Sequence, residues 1–486
     1  MKHIFQRFSS GALAARRQNT GEAKKPIFDK NLLTVTTSLG SLKLVPLAIP
    51  IFLELVFNHL IGTVSTVILS GYSDEAVVAT GSVNVVFSLC VLFFSGISTG
   101  ASVIISNMIG AEKLEDAKRA AGTAVLALGF CGLFLVAVLN GVGALIATAM
   151  NLTGEVYTLA VAYMRIRAFS LLFSSAANGL LAIMRCYGFP RYSVMTGMVK
   201  NVCNAFFSFL AVYVIKTPLL SGVRGVAVGH ILSELICLTI ISCIFFRLRL
   251  GIRRPERISS FFSLAKRIFA IGIPTCISGS MYTLSQIVTN SFAQLLPWPA
   301  PAAKIYCANI LSYAYLFSSG VGQANALMAG RLYGAKRYEH ADRLNKMLAH
   351  CTVPVNLTIS LVILLLRKPL LSMFTDNAEI FKISLGVLLV DILIEQARAI
   401  SHVYEYSLRS TKYVMPTMIV TLISAWVFSV GAAYVLSLPL GFGLVGFYIG
   451  LACDEWVRAI FTFSKWKKRM GNLQREREEE IASANK

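Results

Sequence analysis

Apolar stretches long enough to cross a bilayer recur from residue 44 to residue 464, separated by short polar connections. A helix needs about 20 such residues to cover a hydrocarbon core of roughly 30 Å. The pattern predicts twelve spans, near 44–70, 76–107, 119–148, 155–184, 192–215, 223–246, 268–294, 302–330, 347–366, 378–408, 413–437 and 441–464. Closed β-barrels also span membranes, but their short alternating segments are not present in this sequence. The chain reads as an all-α integral membrane protein of twelve transmembrane helices.

An internal repeat divides those helices into two six-helix bundles. A shift of 224 residues lays Ile49-Pro50 on Ile273-Pro274, and Gly96, Gly110, Glu115 and Arg119 on Gly320, Gly334, Glu339 and Arg343. A shift of 221 then places Gly222, Gly225, Gly229 and Glu234 on Gly443, Gly446, Gly450 and Glu455. Two nearly equal shifts covering different spans mark a duplication, and six helices per half make it a parallel repeat. The expected organisation is a cytoplasmic N-terminal segment (1–43), a first bundle (44–246), a basic cytoplasmic linker on the membrane surface (247–267), a second bundle (268–464) and a cytoplasmic tail (465–486) whose charged stretch from Arg475 to Lys486 is a solvated helix end.

Composition agrees with lipid as the solvent. Hydrophobic residues make up 56% of the chain and charged residues 14%, against about 25% charged in ordinary soluble domains. The net charge of +21 would suit nucleic acid, but its distribution does not. With the N-terminus inside, roughly 34 Lys and Arg fall on the inner side and roughly 6, including Lys304, on the outer. The basic charge therefore sets topology, with both termini cytoplasmic, the cell's inner membrane as the location and membrane lipids as partners. No nucleic-acid partner is expected, and the chain is expected to be a monomer.

The ten cysteines form no C-x-x-C pair and have no suitably spaced His, which supports neither a zinc site nor a disulfide framework. No Walker loop, H-E-x-x-H or G-x-S-x-G stands out, so neither ATP use nor an enzyme activity is indicated. No cofactor is expected, and an H⁺ or Na⁺ gradient is the natural drive.

Ionisable groups inside a span are costly, and each calls for an explanation. In the first span Glu54 and Asn58 share a helix face with His59 beside them. Glu54 can bind a proton or Na⁺, or serve as a buried acid paired with another helix. In the tenth span Asp391, Glu395 and Arg398 form one stripe at i, i+4, i+7. Arg398 is the natural partner of Glu395, which leaves Asp391 as the titrating or Na⁺-binding group; the alternative is a purely structural pair. The ion-coupling candidates are thus Glu54, Asp391 and Glu395.

Glu234, Asp454, Glu455 and Arg458 in the sixth and twelfth spans are structural charge candidates, since Glu234 and Glu455 hold matching repeat positions. Asn201 and Asn204, beside Lys200, can line a polar cavity or hydrogen-bond between helices. Arg165 and Arg167 in the fourth span are harder to place, and one of them can answer a carboxylate named above. Pro46, Pro50, Pro274, Pro354 and Pro416 fall at or inside spans, where they can kink a helix.

The stretch IPIFLELVFNHLIGTVSTVILSGYSDEAVVATG (49–81) resembles the first-span signature of the multidrug and toxic compound extrusion (MATE) family. GISTGASVIISNMIGAEKLEDAKRA (96–120) is similar to its second span and inner loop, and GFGLVGFYIGLACDEWVRAIFTFSKW (441–466) to its final span. RCYGFPRYS (185–193) and SLRSTKYVMP (407–416) resemble the family's R-x-x-G-x-x-[KR] turns, the second without the usual Gly-Asp.

The resemblance implies two six-helix bundles facing each other in a V, and export of small amphipathic, often cationic, organic compounds against H⁺ or Na⁺ entry. It implies ion-coupling roles for Glu54 and for the Glu395-x-x-Arg398 pattern, and cavity positions for Asn58, Ser65, Asn201, Asn204 and Arg398. Relatives often carry Asp where this chain has Ser65, and some place a Glu in the seventh span, which here has no acid. Two other readings share the fold. One is a flippase for lipids or lipid-linked glycans, motivated by Arg165, Arg167 and Lys200; the other is a transport-deficient sensor or scaffold, motivated by Ser65.

Overall fold

The computed structural model describes residues 30–37, 40–70, 73–215, 217, 222–253 and 257–484, with the side chains of 30, 31, 40, 60–67, 69, 70 and 74 outside that description. The first half of the chain forms α1 (Leu44–Ser70), α2 (Asp74–Gly110), α3 (Leu114–Ala149), α4 (Gly154–Ala168), α5 (Ser170–Cys186), α6 (Pro190–Phe209) and α7 (Gly222–Arg247). The second half forms α8 (Ile258–Ala293), α9 (Ala300–Gly334), α10 (Tyr338–Leu365), the short α11 (Arg367–Ser372), α12 (Ala378–Ser410), α13 (Met415–Ser424), α14 (Ala433–Ser437) and α15 (Gly443–Ala484). Helices α4 and α5 meet at a bend of 43°. A wider π-turn follows α6 at Leu210–Val214, and another joins α13 to α14 at Ala425–Ala432.

This is an all-α multi-pass membrane fold. Among the described residues seven helices are long and apolar enough to cross a membrane, or eight if the bent α4–α5 pair counts as one. Helices α9, α12 and α15 fall outside that set. Those are the helices that carry most of the buried charge.

Local chemistry explains the helix limits. Ser73 caps α2 by accepting from the Ala76 backbone N–H at 3.1 Å, and Asn377 caps α12 by accepting from that of Glu379 at 2.9 Å. On α3, the fully buried Ala117, Ala120, Ala121 and Ala124 follow helical spacing, a small-residue face that lets neighbouring backbones approach.

The duplication is visible in the backbone. Glu112 and Lys336, 224 residues apart, both turn through the left-handed region, at φ 60° and 54°. Gly188 and Lys412 do the same at 90° and 64°, and Gly222 and Gly443, 221 apart, at 58° and 57°. A non-glycine residue rarely adopts this conformation, so its recurrence at matched positions reports a shared turn design.

Helices α1 to α7 form one packed group and α9 to α15 another, α8 packs most on α2, and the two halves meet where α2 crosses α8 and α9 and where α1 crosses α9. Glycines set that seam. A Cβ at Gly96 would lie 2.8 Å from that of Cys276, and one at Gly320 would lie 3.1 Å from that of Phe52. These two contacts exchange under the 224-residue shift, as contacts around a pseudo-two-fold axis do.

Three boundaries differ from the sequence expectation. The 1–43 segment is folded near its end: β1 (Thr34–Thr37) and β2 (Gly40–Lys43) form an antiparallel hairpin that packs on α9 and α1. Within the 247–267 linker, residues 258–267 are the first turns of α8, and the connection before them is tied down. Arg253 pairs with Glu115 at 2.9 Å and donates its backbone N–H to the Lys118 carbonyl at 3.3 Å. Residues 465–484 continue α15 without a break, and Trp466, Met470 and Leu473 are buried. Trp466 Nε1 donates to Asp342 Oδ1 at 3.1 Å, and Arg477 donates to the Lys336 carbonyl at 2.6 Å. An amphipathic repeat hidden in a charged sequence thus docks the tail on the α9–α10 turn.

Candidate transport cavities and a buried charge network

The second half holds a continuous run of buried charge. Arg398 on α12 donates from Nη1 to Glu395 Oε1 at 2.7 Å and from Nε to Glu455 Oε1 at 3.0 Å on α15. Arg458 reaches the same Glu455 oxygen from Nη2 at 2.7 Å, and its Nε donates to Asp454 Oδ1 at 3.1 Å. Ser429, presented by the π-turn, donates to Asp454 Oδ2 at 3.1 Å, and Asn356 on α10 donates to Glu395 Oε2 at 3.3 Å. Three carboxylates therefore share two guanidiniums. Helical spacing creates the local pairs 395/398 and 454/458, and the α12–α15 packing joins them.

Asp391 stands one turn from Glu395 on the same stripe yet outside this network. It is 2% exposed, and among the described residues its Oδ2 accepts no hydrogen bond. It borders a cavity of about 380 Å³ enclosed by α8, α9, α12 and α15. Tyr282 and Tyr315 line this cavity and also a second one, of about 210 Å³, that faces α2 and has Glu455, Arg458, Glu405 and Arg409 on its wall. A third, of about 90 Å³, shares Ser95, Thr99, Gln323 and Tyr406 with the second and extends between the halves to Arg185 on α5.

The first half carries a sparser set. Glu54 Oε2 lies 3.8 Å from Arg185 Nη1 and accepts no hydrogen bond among the described residues. Lys200 pairs with Glu234 at 3.4 Å, and Asn201 Nδ2 donates to Asn58 Oδ1 at 3.1 Å. Among the described residues no group of three or more His, Cys, Asp or Glu is placed to hold a metal ion.

The MatE family model matches residues 50–210 and again 274–435, and its two matches begin at the repeat-related Pro50 and Pro274. The chain belongs to the MatE family. MatE relatives include the uncharacterized transporter YisQ of Bacillus subtilis, 26% identical over 87% of this chain and 93% of that protein. The probable multidrug resistance protein NorM of Thermotoga maritima is 27% identical over 90% and 96% of the two chains. Among solved structures, the Vibrio cholerae MATE transporter VcmN superposes with a TM-score of 0.81 at 17% identity, covering 88% of this chain and 96% of that one. A MOP-superfamily transporter from Pyrococcus furiosus superposes at 0.79 and 18% identity, covering 94% and 100%. The protein is a secondary transporter of this family and not an enzyme.

In this MatE chain the anticipated residues separate into four groups. Asp391 and Arg398 face the largest cavity described, and Glu455 and Arg458, expected to be purely structural, also line a cavity wall. Glu395 is fully buried in its pair with Arg398, as its spacing foretold. Asn58, Asn201 and Asn204 do not line any of the three cavities; the first two bond to each other across α1 and α6. Nor does Glu54, although its partner Arg185 does. Ser65 lies on α1 with its side chain outside the described residues.

Glu234 and Glu455 both accept ion pairs, but from different helices: α6 in the first half, α12 and α15 itself in the second. Of the unplaced arginines, Arg167 stacks on Phe87 at 4.3 Å and donates to Asn84 and Tyr163, while Arg165 is exposed. Lys304 was the residue counted wrongly. It sits on α9 with its Nζ buried on the wall of the Asp391 cavity, not in an outer loop. Its place inside a helix start, four residues after Pro301's neighbour Ala300, was the available signal.

Proposed function

We propose that this chain is an antiporter that exports small amphipathic organic compounds, driven by H⁺ or Na⁺ entry through alternating access. The reading includes twelve spans in two six-helix bundles, with both termini cytoplasmic. Asp391 carries it. A carboxylate buried beside a cavity without a hydrogen bond on one oxygen is expensive unless a cation neutralises it. A proton or Na⁺ supplies that cation in one conformation, and a positively charged substrate group supplies it in another. Competition for one carboxylate then couples the two fluxes.

Relatives such as the probable multidrug resistance protein NorM support the export direction and the substrate class. The charge network beside Asp391 supports a fixed role for its neighbours: Glu395 is held by Arg398 and is not available for exchange. Arg165, Arg167 and Lys200, the cations that would favour a lipid flippase, line none of the three cavities described, which gives that reading little support.

Equilibrium binding of a fluorescent organic cation to the purified protein tests the proposal. Raising the proton or Na⁺ concentration weakens binding in the wild type, and Asp391→Asn removes that dependence. Cation-independent binding in the wild type would count against it.

A further inference from the structure

The cavity beside Asp391 holds more than one unanswered polar group. Lys304 Nζ and Gln286 Nε2 line the same wall, and among the described residues neither makes a hydrogen bond. The Lys304 ammonium has one described neighbour of any electrostatic kind, the Phe447 ring at 5.1 Å. Buried polar groups are hydrogen-bonded in the great majority of folded proteins, so an acid, a base and an amide left open on one cavity call for a common explanation.

We propose that this cavity is a recognition site for an amphipathic zwitterion, with the ligand's ammonium at Asp391 and its carboxylate at Lys304. Gln286 hydrogen-bonds the polar middle of the ligand, and the rings of Tyr282, Tyr315 and Phe447 cover its apolar body. A volume of about 380 Å³ is within the range of small-molecule sites. Two fixed charges of opposite sign make the site selective in both directions: a pure cation leaves Lys304 unanswered and a pure anion leaves Asp391 so. The assignment rests on the antiport reading in one respect, since it names the class of compound that competes with the coupling cation.

The probes are phenylalanyl-phenylalanine with free termini, its N-acetyl form and its C-terminal amide, titrated against the full-length protein in lipid nanodiscs. The free dipeptide is expected to bind about tenfold or more tighter than either capped form, because each cap leaves one buried charge unpaired. Lys304→Met erases the preference for the free carboxylate over the amide while keeping discrimination against N-acetylation. Asp391→Asn does the reverse, and Lys304→Arg, which preserves the charge, retains the wild-type preference.

Equal wild-type affinity for the free and amidated dipeptides, no binding of the free dipeptide, or full discrimination surviving in Lys304→Met would overturn the assignment. Gradient-driven flux of ethidium in vesicles from the same preparation separates the two claims. Flux that follows the gradient without a zwitterion preference removes this site alone. A zwitterion preference with flux indifferent to the gradient removes the coupling reading and leaves the site standing.

Discussion

Gly110 on α2 rests against the backbone carbonyl of Arg331 on α9 so closely that a Cβ at residue 110 would lie 1.9 Å from that oxygen. The relationship is reciprocal. A Cβ at Gly334 would lie 1.9 Å from the carbonyl of Asn107, and both pairs exchange under the 224-residue shift. The crossing of α2 and α9 therefore sits on the pseudo-two-fold axis and closes the seam between halves at one end. Arg331 completes the closure: it is 2% exposed, and its Nη2 donates to the Cys186 carbonyl at 2.6 Å.

Gly110→Ala is expected to prise this crossing open. Overpacking of this kind costs about 1–3 kcal/mol, and here the obstacle is backbone, which cannot swing aside. The melting temperature in detergent should fall, and Cys186, fully buried in the closed form, should label faster with a thiol reagent. An unchanged labelling rate would show that the crossing is not a gate.

Replacing Arg458 with Met should destabilise strongly, since it leaves Asp454 in the interior without its ion partner and takes one of two from Glu455, which keeps Arg398. Breaking a buried pair costs about 3–5 kcal/mol. The double variant Asp454→Asn with Arg458→Met should lose clearly less than the sum of the two single changes, because the partners are coupled. Thermal melts of all four proteins complete the cycle.

Glu395→Gln and Asp391→Asn should differ in kind. The first removes one of the two carboxylate partners of Arg398 and lowers stability. The second removes a charge that no described residue pairs by hydrogen bond on Oδ2, so the fold should hold while ion dependence disappears. Melting curves beside binding titrations distinguish the two patterns.

The docked tail offers a milder test. Lys336 pairs with Glu480, whose hydrogen bond and charge raise the lysine above its usual value. That stabilisation is complete below the unfolded lysine's ordinary value of 10.5 and fades only as pH rises through the raised one. Glu480→Gln should therefore speed tryptic cleavage after Arg475 near neutral pH without moving the melting temperature. Identical cleavage of both proteins would mean that the tail is held by Trp466 and its neighbours alone.

The sequence revealed the repeat and the α12 stripe well, because both are written in short-range spacing. Residues 224 apart recur as letters before they recur as turns, and i, i+3 or i+4 offsets place Glu395 with Arg398 and Asp454 with Arg458. Long-range partners were another matter. Nothing local indicates that Arg398 reaches Glu455, that Asn58 is taken by Asn201, or that Glu54 meets Arg185. Lys304 is not legible by charge counting, which treats every lysine near a span end as solvated, while a lysine one turn into a long helix can bury its ammonium. The tail is legible only at its end: residues from Arg475 to 484 are the exposed helix end that their charge predicts, while the buried stripe of Trp466, Met470 and Leu473 just before them is concealed by the charges around it.

Flux in proteoliposomes tests the central role of Asp391 most directly. With wild-type protein, a fluorescent organic cation should move only while an opposing proton or Na⁺ gradient is maintained, and Asp391→Asn should lose that dependence with its fold intact. Equal wild-type flux after both gradients collapse, or full gradient dependence in Asp391→Asn, would contradict the account.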